Sequence, residues 1–163
     1  MNFQKIFCWP PLLAGVGAAI TIGILGYITY ESILSDSNYG FWLFASFGST
    51  VVIVFGYPDN AFAQPKNVFF GHLISALVGV LFITFFEVNF VTIGIAVGIS
   101  VMLMIALEIT HPPAGGNPIV VMIGGVSFHF LIFPVMVGSI AVIIGGIIYN
   151  RLILKKKYPI SWK

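Results

Sequence analysis

The feature that most restricts the fold is the length of the runs without charged side chains. Twenty residues free of Asp, Glu, Lys and Arg separate Lys66 from Glu87, another twenty separate Glu87 from Glu108, and 42 separate Glu108 from Arg151. A helix needs about 20 mostly apolar residues to cross the hydrocarbon core of a bilayer. Only 7% of the residues are charged, too few for the polar shell of a soluble domain. The sequence therefore predicts an all-α integral membrane protein.

Other classes of protein are excluded by what the sequence lacks. Cys8 is the only cysteine, so the chain is not a disulfide scaffold. A net charge of +2 is too small to suggest a nucleic-acid partner. No nucleophile elbow, phosphate loop or zinc-protease motif is present, so we expect no enzyme activity. We also expect no cofactor and no metal, because His129 falls on the opposite side from His72 and His111.

Six apolar segments can be read along the chain, at residues 11–30, 41–57, 68–86, 91–109, 117–126 and 130–150. The fifth is too short to cross the bilayer alone as a regular helix. With a cytoplasmic N-terminus, six crossings put every basic residue in the cytoplasm: Lys5, Lys66, Arg151, Lys155, Lys156, Lys157 and Lys163. This pattern obeys the positive-inside rule and predicts that both termini are cytoplasmic. The run at 155–157 is interpreted as a topology signal touching anionic lipid, with a partner site as the alternative.

Two nine-residue strings share one pattern, namely Gly, two small or polar residues, five apolar residues and Gly. They are GSTVVIVFG at 48–56 and GNPIVVMIG at 116–124. Within a single domain covering 1–163, they predict an inverted 3+3 repeat with halves at 11–86 and 91–150 and a basic tail at 151–163. Many transporters are built this way. Chance is the alternative, since such strings are common in membrane chains.

Both strings carry signals for broken helices. Asn117 is predicted to cap a short helix that starts at Pro118, and Ser49 or Thr50 to cap a half-helix in the second segment. The irregular backbone at 112–116 must be buried in protein or line a wet cavity. The two helix N-termini would meet near the midplane, where they favour an anion. The predicted substrate contacts are Gly48, Ser49, Thr50, Gly115, Gly116 and Asn117.

Ionisable and amide side chains gather on the cytoplasmic side. Glu108 lies one helical turn before His111, so the two are predicted to share a face and to gate the path or carry a proton. The alternative is that they only hold the unwound segment in place. His72 could meet His111 if it faces the bundle, a packing histidine being the alternative. Lys66 either attracts the anion or only marks the cytoplasmic side, and Asn67 could cap the third helix.

Two sets of motifs resemble a known family. The stretch THPPAG at 110–115 is similar to the signature of the HPP family of integral membrane proteins, and GST at 48–50, PD at 58–59, AQPKN at 63–67 and GHL at 71–73 resemble its other shared stretch. The resemblance covers residues 44–146. It implies a small bacterial or organellar protein, here expected in the bacterial inner membrane. Because plastid members are implicated in nitrite transport, it also implies nitrite as the substrate.

The leading hypothesis is therefore transport of a small monovalent anion, above all nitrite. The expected partners are the lipid bilayer and that anion. Small-residue faces at Gly71, Ser75 and Gly79 and at Gly94 and Gly98 suit helix packing and permit a homo-oligomer. Two alternatives remain open. A non-transporting scaffold or sensor would have a filled interior at Gly48 and Gly116. A carrier of a cation or a neutral solute would use Glu108 and His111 as its site.

Overall fold

The computed structural model describes residues 9–34 and 44–162. Lys5, Cys8 and Lys163 lie outside these ranges, as do residues 41–43 of the predicted second segment. The described chain contains six α-helices: α1 (Trp9–Leu34), α2 (Phe44–Gly56), α3 (Pro65–Phe85), α4 (Phe90–Ala106), α5 (Asn117–Gly124) and α6 (Val137–Leu152). Two 3₁₀ segments, Ala61–Ala63 and Pro112–Gly116, precede α3 and α5.

Each predicted apolar segment coincides with one of these helices, so the all-α prediction is confirmed. Three helical stretches of the described chain are long and apolar enough to cross a membrane: Pro10–Glu31, Pro65–Phe85 and Leu131–Leu152. Ser46–Gly56 and Phe90–Ala106 are apolar but shorter. With eight residues, α5 is about 12 Å long, less than half of the hydrocarbon core, as the sequence predicted.

The last segment departs from the single straight helix expected over 130–150. A π-helical segment, Leu131–Met136, leads into α6, and Phe133 inside it has non-helical dihedral angles. Pro134 follows directly, has no backbone N–H to donate and clashes with the preceding turn. The proline therefore accounts for the kink.

The predicted break in α2 is wrong. The helix runs without interruption through Gly48, Ser49 and Thr50, so neither Ser49 nor Thr50 caps a half-helix. The Thr50 hydroxyl lies 2.9 Å from the Ser46 carbonyl oxygen, one turn earlier, and can donate to it. A short polar side chain can thus be satisfied within the helix. Of the two predicted half-helices, the structure contains the one in the fifth segment.

Two predicted helix caps are also wrong. Asn117 is the first residue of α5 rather than its cap, and its side chain donates to groups on α3 instead of to the α5 backbone. Asn67 lies inside the first turn of α3, which begins at Pro65. Its amide nitrogen donates to the carbonyl of Thr110, 2.9 Å away. Both asparagines join separate parts of the chain.

Three connecting regions meet at one end of the bundle, which we call the basic end: residues 57–66, 107–111 and 153–161. The buried Tyr158 hydroxyl donates to the Ala63 carbonyl at 2.7 Å, and the Gln64 side-chain oxygen accepts from the backbone N–H groups of Ile160 and Ser161. Burial raises the pKa of Tyr158, so the phenol keeps the proton that it donates. The described basic residues lie in or beside these regions, while Lys155, Lys156 and Lys157 remain exposed.

The helix contacts follow one pattern in both halves of the chain. Helix α3 packs on α4 and α5, and α6 packs on α1 and α2. A Cβ on Gly79 of α3 would lie 2.9 Å from the Cβ of Val121 in α5, and one on Gly146 of α6 would press on Val54 of α2. A 3+3 repeat would produce such matching contacts, and the repeat stays a prediction.

Candidate functional site

Two buried histidines meet through a threonine inside the bundle. The Oγ1 of Thr50, on α2, lies 2.8 Å from the Nε2 of His72 and 3.0 Å from the Nε2 of His111. The imidazole ring centroids are 5.0 Å apart. All three side chains are fully buried. The sequence predicted that His72 could meet His111 if it faced the bundle. The two side chains do meet, and Thr50 lies between them.

The other nitrogen of each imidazole also has a partner. The Nδ1 of His111 lies 2.7 Å from the carbonyl oxygen of Phe62, in the 3₁₀ segment before α3. The Nδ1 of His72 lies 3.0 Å from the Nδ2 of Asn117, which also donates to the hydroxyl of Ser75. We call Thr50, His72, Ser75, His111 and Asn117 the histidine network. It joins α2, α3 and the start of α5.

These partners assign the tautomers of the neutral imidazoles. The Phe62 carbonyl can only accept, so the Nδ1 of His111 carries a hydrogen and its Nε2 accepts. The Asn117 amide nitrogen can only donate, so the Nδ1 of His72 accepts and its Nε2 carries the hydrogen. The orientation of the Asn117 amide is itself fixed, because its nitrogen also lies 3.2 Å from the His72 carbonyl, which can only accept a hydrogen bond. Its Oδ1 is buried without a hydrogen-bond partner among the described residues.

The sequence positions these groups through close packing at His111. Gly71 lies one residue before His72, and a Cβ there would come 2.7 Å from the Cβ of His111. The glycine therefore lets the chain at 109–111 lie directly against α3. On the other side, the Phe47 ring packs edge-on against the His72 ring with centroids 5.1 Å apart.

A groove opens beside the network, on the side where α2 faces the second 3₁₀ segment and α5. It is wide open on one side, has a volume of about 320 Å³ and is lined by Ser46, Ser49, Pro113, Gly116, Ile119 and Val120. We call it the α2 groove. A Cβ on Gly48, Gly115 or Gly116 would meet nothing within 4 Å in the described structure, so the space beside these glycines is open.

The six predicted substrate contacts separate into two groups. Thr50 and Asn117 belong to the histidine network and are fully buried. Ser49 and Gly116 line the α2 groove, and the half-buried Gly48 and Gly115 are their chain neighbours. The predicted meeting of two helix N-termini is replaced by one helix start, at Asn117, facing the middle of α2.

Glu108 does not share a helical face with His111, so that prediction is wrong. Helix α4 ends at Ala106, so Glu108 and His111 are not one helical turn apart. Glu108 is exposed and has a φ of +55°. Its backbone N–H bonds the Ile105 carbonyl and the next N–H bonds the Met104 carbonyl, which is the Schellman pattern of a helix end. Glu108 caps α4, and no hydrogen bond or ion pair joins it to His111 within the described residues.

Lys66 also lies away from the network. It is half-buried at the start of α3 and lines a second, mainly apolar groove of about 370 Å³ between α3 and α6, together with Trp162. Asn67 is near the site only through its bond to Thr110, the residue before His111.

The sequence did not indicate that Ser46, Tyr158 or the Phe62 carbonyl belongs to this region. It indicated Ser75 only as a packing residue. Ser46 could have been found, because it lies four residues before Thr50 and a helical threonine can donate to that carbonyl. The Phe62 carbonyl and the docking of Tyr158 join residues 49 and 95 positions apart, and no local pattern indicates such contacts.

Comparisons with known proteins agree with the motifs. The family described as HPP, transmembrane region, matches residues 6–159. The chain belongs to the HPP transmembrane family. A transmembrane protein of Dictyostelium discoideum is 32% identical over 128 residues, which cover 74% of this chain and 45% of that protein. A second from the same organism is 28% identical over 149 residues, covering 86% of this chain and 48% of that protein.

This HPP chain therefore spans a little under half the length of these two curated relatives. No solved structure gives a significant match. Family membership and the apolar helices together establish a multi-pass protein embedded in a membrane.

Proposed function

We propose that this HPP protein transports a small monovalent anion, with nitrite as the leading substrate, along the α2 groove. The observation that carries the proposal is the open, partly polar space between Ser46, Ser49 and Gly116 at the start of α5. Backbone N–H groups at a helix start and serine hydroxyls can bind an anion without adding a fixed charge. Nitrite itself comes from the family resemblance. The proposed setting is a bacterial inner membrane with both termini in the cytoplasm.

The irregular backbone beside the groove supports a wet path. Pro112–Gly116 is not α-helical, and Pro112 is exposed at its edge. Backbone of this kind at membrane depth requires protein or water around it, because lipid tails cannot satisfy its polar groups. A water-filled groove meets that requirement and gives an anion a hydrated route.

The alternatives fit the structure less well. A scaffold or sensor was expected to have a filled interior at Gly48 and Gly116, whereas the space beside both is open. A carrier using Glu108 and His111 requires the two side chains in one site, whereas Glu108 is exposed at the end of α4. The anion hypothesis is the one whose predicted groups, Ser49 and Gly116, line a common space.

A second copy of the chain is the natural cover for the open side of the groove. The exposed Val52 on α2 and Ile119 on α5 flank it, so apolar side chains border the open side of the groove. We propose a homo-oligomer in which this face is shared, which light scattering of the detergent-solubilised protein would measure.

Uptake into proteoliposomes tests the transport proposal. We expect nitrite and nitrate to enter faster than into empty liposomes, which control for the passage of neutral nitrous acid. Gly116→Leu should lower this protein-dependent uptake by roughly tenfold or more, since its Cβ would meet no atom within 4 Å and the rest of the side chain would occupy the groove.

Gly98→Leu is the matched control. Gly98 lies on the exposed side of α4, and a Cβ there also meets open space. We expect its uptake to equal that of the wild type. Equal uptake by both leucine variants would remove the α2 groove from the path, and equal uptake by wild-type and empty liposomes would refute transport of these anions.

A further inference from the structure

We propose that the histidine network binds one proton for each anion carried, so that proton and anion cross together without net charge. The inference rests on the proposed function, because the anion supplies the charge that balances the proton. It is carried by the hydrogen bonds of Thr50, His72 and His111, which have two complete arrangements differing by one proton.

In the first arrangement the network is neutral and all hydrogen bonds point one way. The Asn117 amide donates to His72, His72 donates to Thr50 at 2.8 Å, and Thr50 donates to the Nε2 of His111 at 3.0 Å. His111 then donates to the Phe62 carbonyl at 2.7 Å. The Ser46 carbonyl, 2.9 Å from the Thr50 oxygen, receives no hydrogen from that hydroxyl in this arrangement.

In the second arrangement the network holds one more proton. It binds the free electron pair on the Nε2 of His111, which now donates to Thr50. The hydroxyl hydrogen of Thr50 turns from His111 to the Ser46 carbonyl, which is already within reach. The threonine oxygen accepts from both imidazoles with its two lone pairs. No heavy atom needs to move, and every donor still has an acceptor.

His111 rather than His72 takes the proton. A proton on the Nδ1 of His72 would oppose the NH₂ group of Asn117, and that amide cannot turn without placing its oxygen against the His72 carbonyl. His111 has no such obstacle. It also lies nearer to solvent, because Phe62, whose carbonyl it contacts, is exposed at the basic end.

The network contains no acidic group to balance the added charge. Helices α2, α4 and α5 hold no Asp, Glu, Lys, Arg or His, and the 3₁₀ segments at Ala61–Ala63 and Pro112–Gly116 hold none either. The charged groups on the neighbouring parts of the chain are the exposed Asp59 and Glu108, the half-buried Lys66 and the exposed Arg151 of α6. A buried imidazolium without a counter-charge is unfavourable. Protonation therefore requires an anion nearby.

The α2 groove brings that anion next to the network. The groove and the open surface that adjoins it at Ser49 and Pro113 are lined by neighbours of the network residues in the chain. Ser49 precedes Thr50, Pro112 follows His111 and Gly116 precedes Asn117. Ser46 lines the groove and also offers the carbonyl toward which the Thr50 hydroxyl turns. An anion in the groove thus stabilises the protonated network, and the proton in turn stabilises the anion.

Separate gradients across proteoliposomes of the wild-type chain test the coupling. Internal pyranine reports proton entry, and potassium with valinomycin sets the membrane potential. At zero potential, we expect an acidic exterior to drive nitrate and nitrite accumulation, about tenfold for one pH unit, with matching proton entry. At equal pH, a potential should have no effect, whereas 100 mV would shift the distribution of an anion crossing alone by roughly 50-fold.

Variants locate the coupling in the network. Thr50→Val removes the hydroxyl and should abolish nitrate accumulation driven by pH, and Thr50→Ser should restore it. Thr84→Val is the matched control, because the Thr84 hydroxyl likewise donates to a carbonyl one turn earlier, Val80, but lies on an exposed part of α3. Thr84→Val should behave as the wild type. If Thr50→Val does not fold, His111→Gln offers a second group that cannot take up the proton.

The outcomes separate the two proposals. Uptake that follows the membrane potential and ignores the pH gradient overturns proton coupling and leaves anion transport standing. Uptake equal to that of empty liposomes under both gradients overturns both. A folded Thr50→Val or His111→Gln variant that still accumulates nitrate along the pH gradient removes the histidine network from the mechanism.

Discussion

The strings at residues 48–56 and 116–124 have the same pattern of residues but fold differently at their start. Both end a helix at the second glycine, Gly56 in α2 and Gly124 in α5. The first string lies inside α2, which already includes Phe44. The second follows the 3₁₀ segment Pro112–Gly116, and its helix begins at Asn117.

The difference teaches which residues interrupt a membrane helix. Thr50 stays helical because, unlike proline, it keeps its backbone N–H, and its hydroxyl lies within reach of the Ser46 carbonyl in the same helix. Before α5, Pro112 and Pro113 lack the N–H groups that a regular helix would need, and Pro118 is tolerated only because it lies in the first turn. The prolines before α5, rather than small polar residues, therefore interrupt the helix there.

The two strings nevertheless contact the same residue, His72. Thr50 approaches the Nε2 of His72, and Asn117 approaches its Nδ1. The continuous helix and the broken helix thus hold the same imidazole from opposite sides. Substitutions that make one string resemble the other should show how much of the protein's stability depends on the residue pattern and how much on the tertiary contacts.

The largest effect is expected from Thr50→Pro, which places in α2 the residue that occupies the matching position, Pro118, in the second string. It removes a helical hydrogen bond and both contacts to the imidazoles. We expect destabilisation of about 3 kcal/mol or more, measured by thermal unfolding in detergent. A variant that melts with the wild type would show that α2 is not a continuous helix at Thr50.

A reciprocal exchange should have unequal effects on the two strings. Asn117→Ser copies Ser49 into the second string and shortens a buried side chain that bonds His72 and Ser75. We expect a loss of about 1–3 kcal/mol. Ser49→Asn, the opposite exchange, changes an exposed residue and should stay within about 0.5 kcal/mol of the wild type. Equal shifts in melting temperature would contradict the assignment of Asn117 to the network.

The smallest effect concerns how α4 and α5 end. Gly125 follows α5 with a φ of +60°, whereas Glu108 takes a similar left-handed conformation after α4, with a φ of +55°. Glu108→Gly should therefore stabilise the protein by roughly 1 kcal/mol, because glycine adopts this conformation without strain. Glu108→Gln should change neither stability nor anion uptake, and a loss of uptake would restore Glu108 to the site.

Much of the fold was predictable because local properties set it. Apolar runs located the six helices, and the short α5 followed from the prolines and glycines around it. The predicted caps at Asn67 and Asn117 were wrong, because a side chain that can cap a helix can also bond a distant partner. Asn67 bonds the Thr110 carbonyl, 43 residues away, and that partner cannot be read from neighbouring residues.

The candidate site was predictable in its members but not in its connections. Thr50, His72, His111 and Asn117 were all selected as polar residues in an apolar chain. Their grouping was wrong for Glu108, since the pairing with His111 assumed that α4 continued beyond Ala106. Whether a polar group lies in the network or in the groove depends on the rotation of its helix. That rotation is set by packing, as where Gly71 admits His111 against α3.

By itself, the sequence determined that this chain lies in a membrane, where its helices run and which family it belongs to. Hydropathy and proline act on neighbouring residues, and the family motifs are short stretches of sequence, so all three can be recognised without the tertiary structure. Only the tertiary structure decided that Thr50 joins His72 to His111, that the Phe62 carbonyl orients one imidazole, and that an open groove adjoins them. These contacts span up to 61 residues along the chain, and they exist only when the helices pack and buried polar groups must find partners in space.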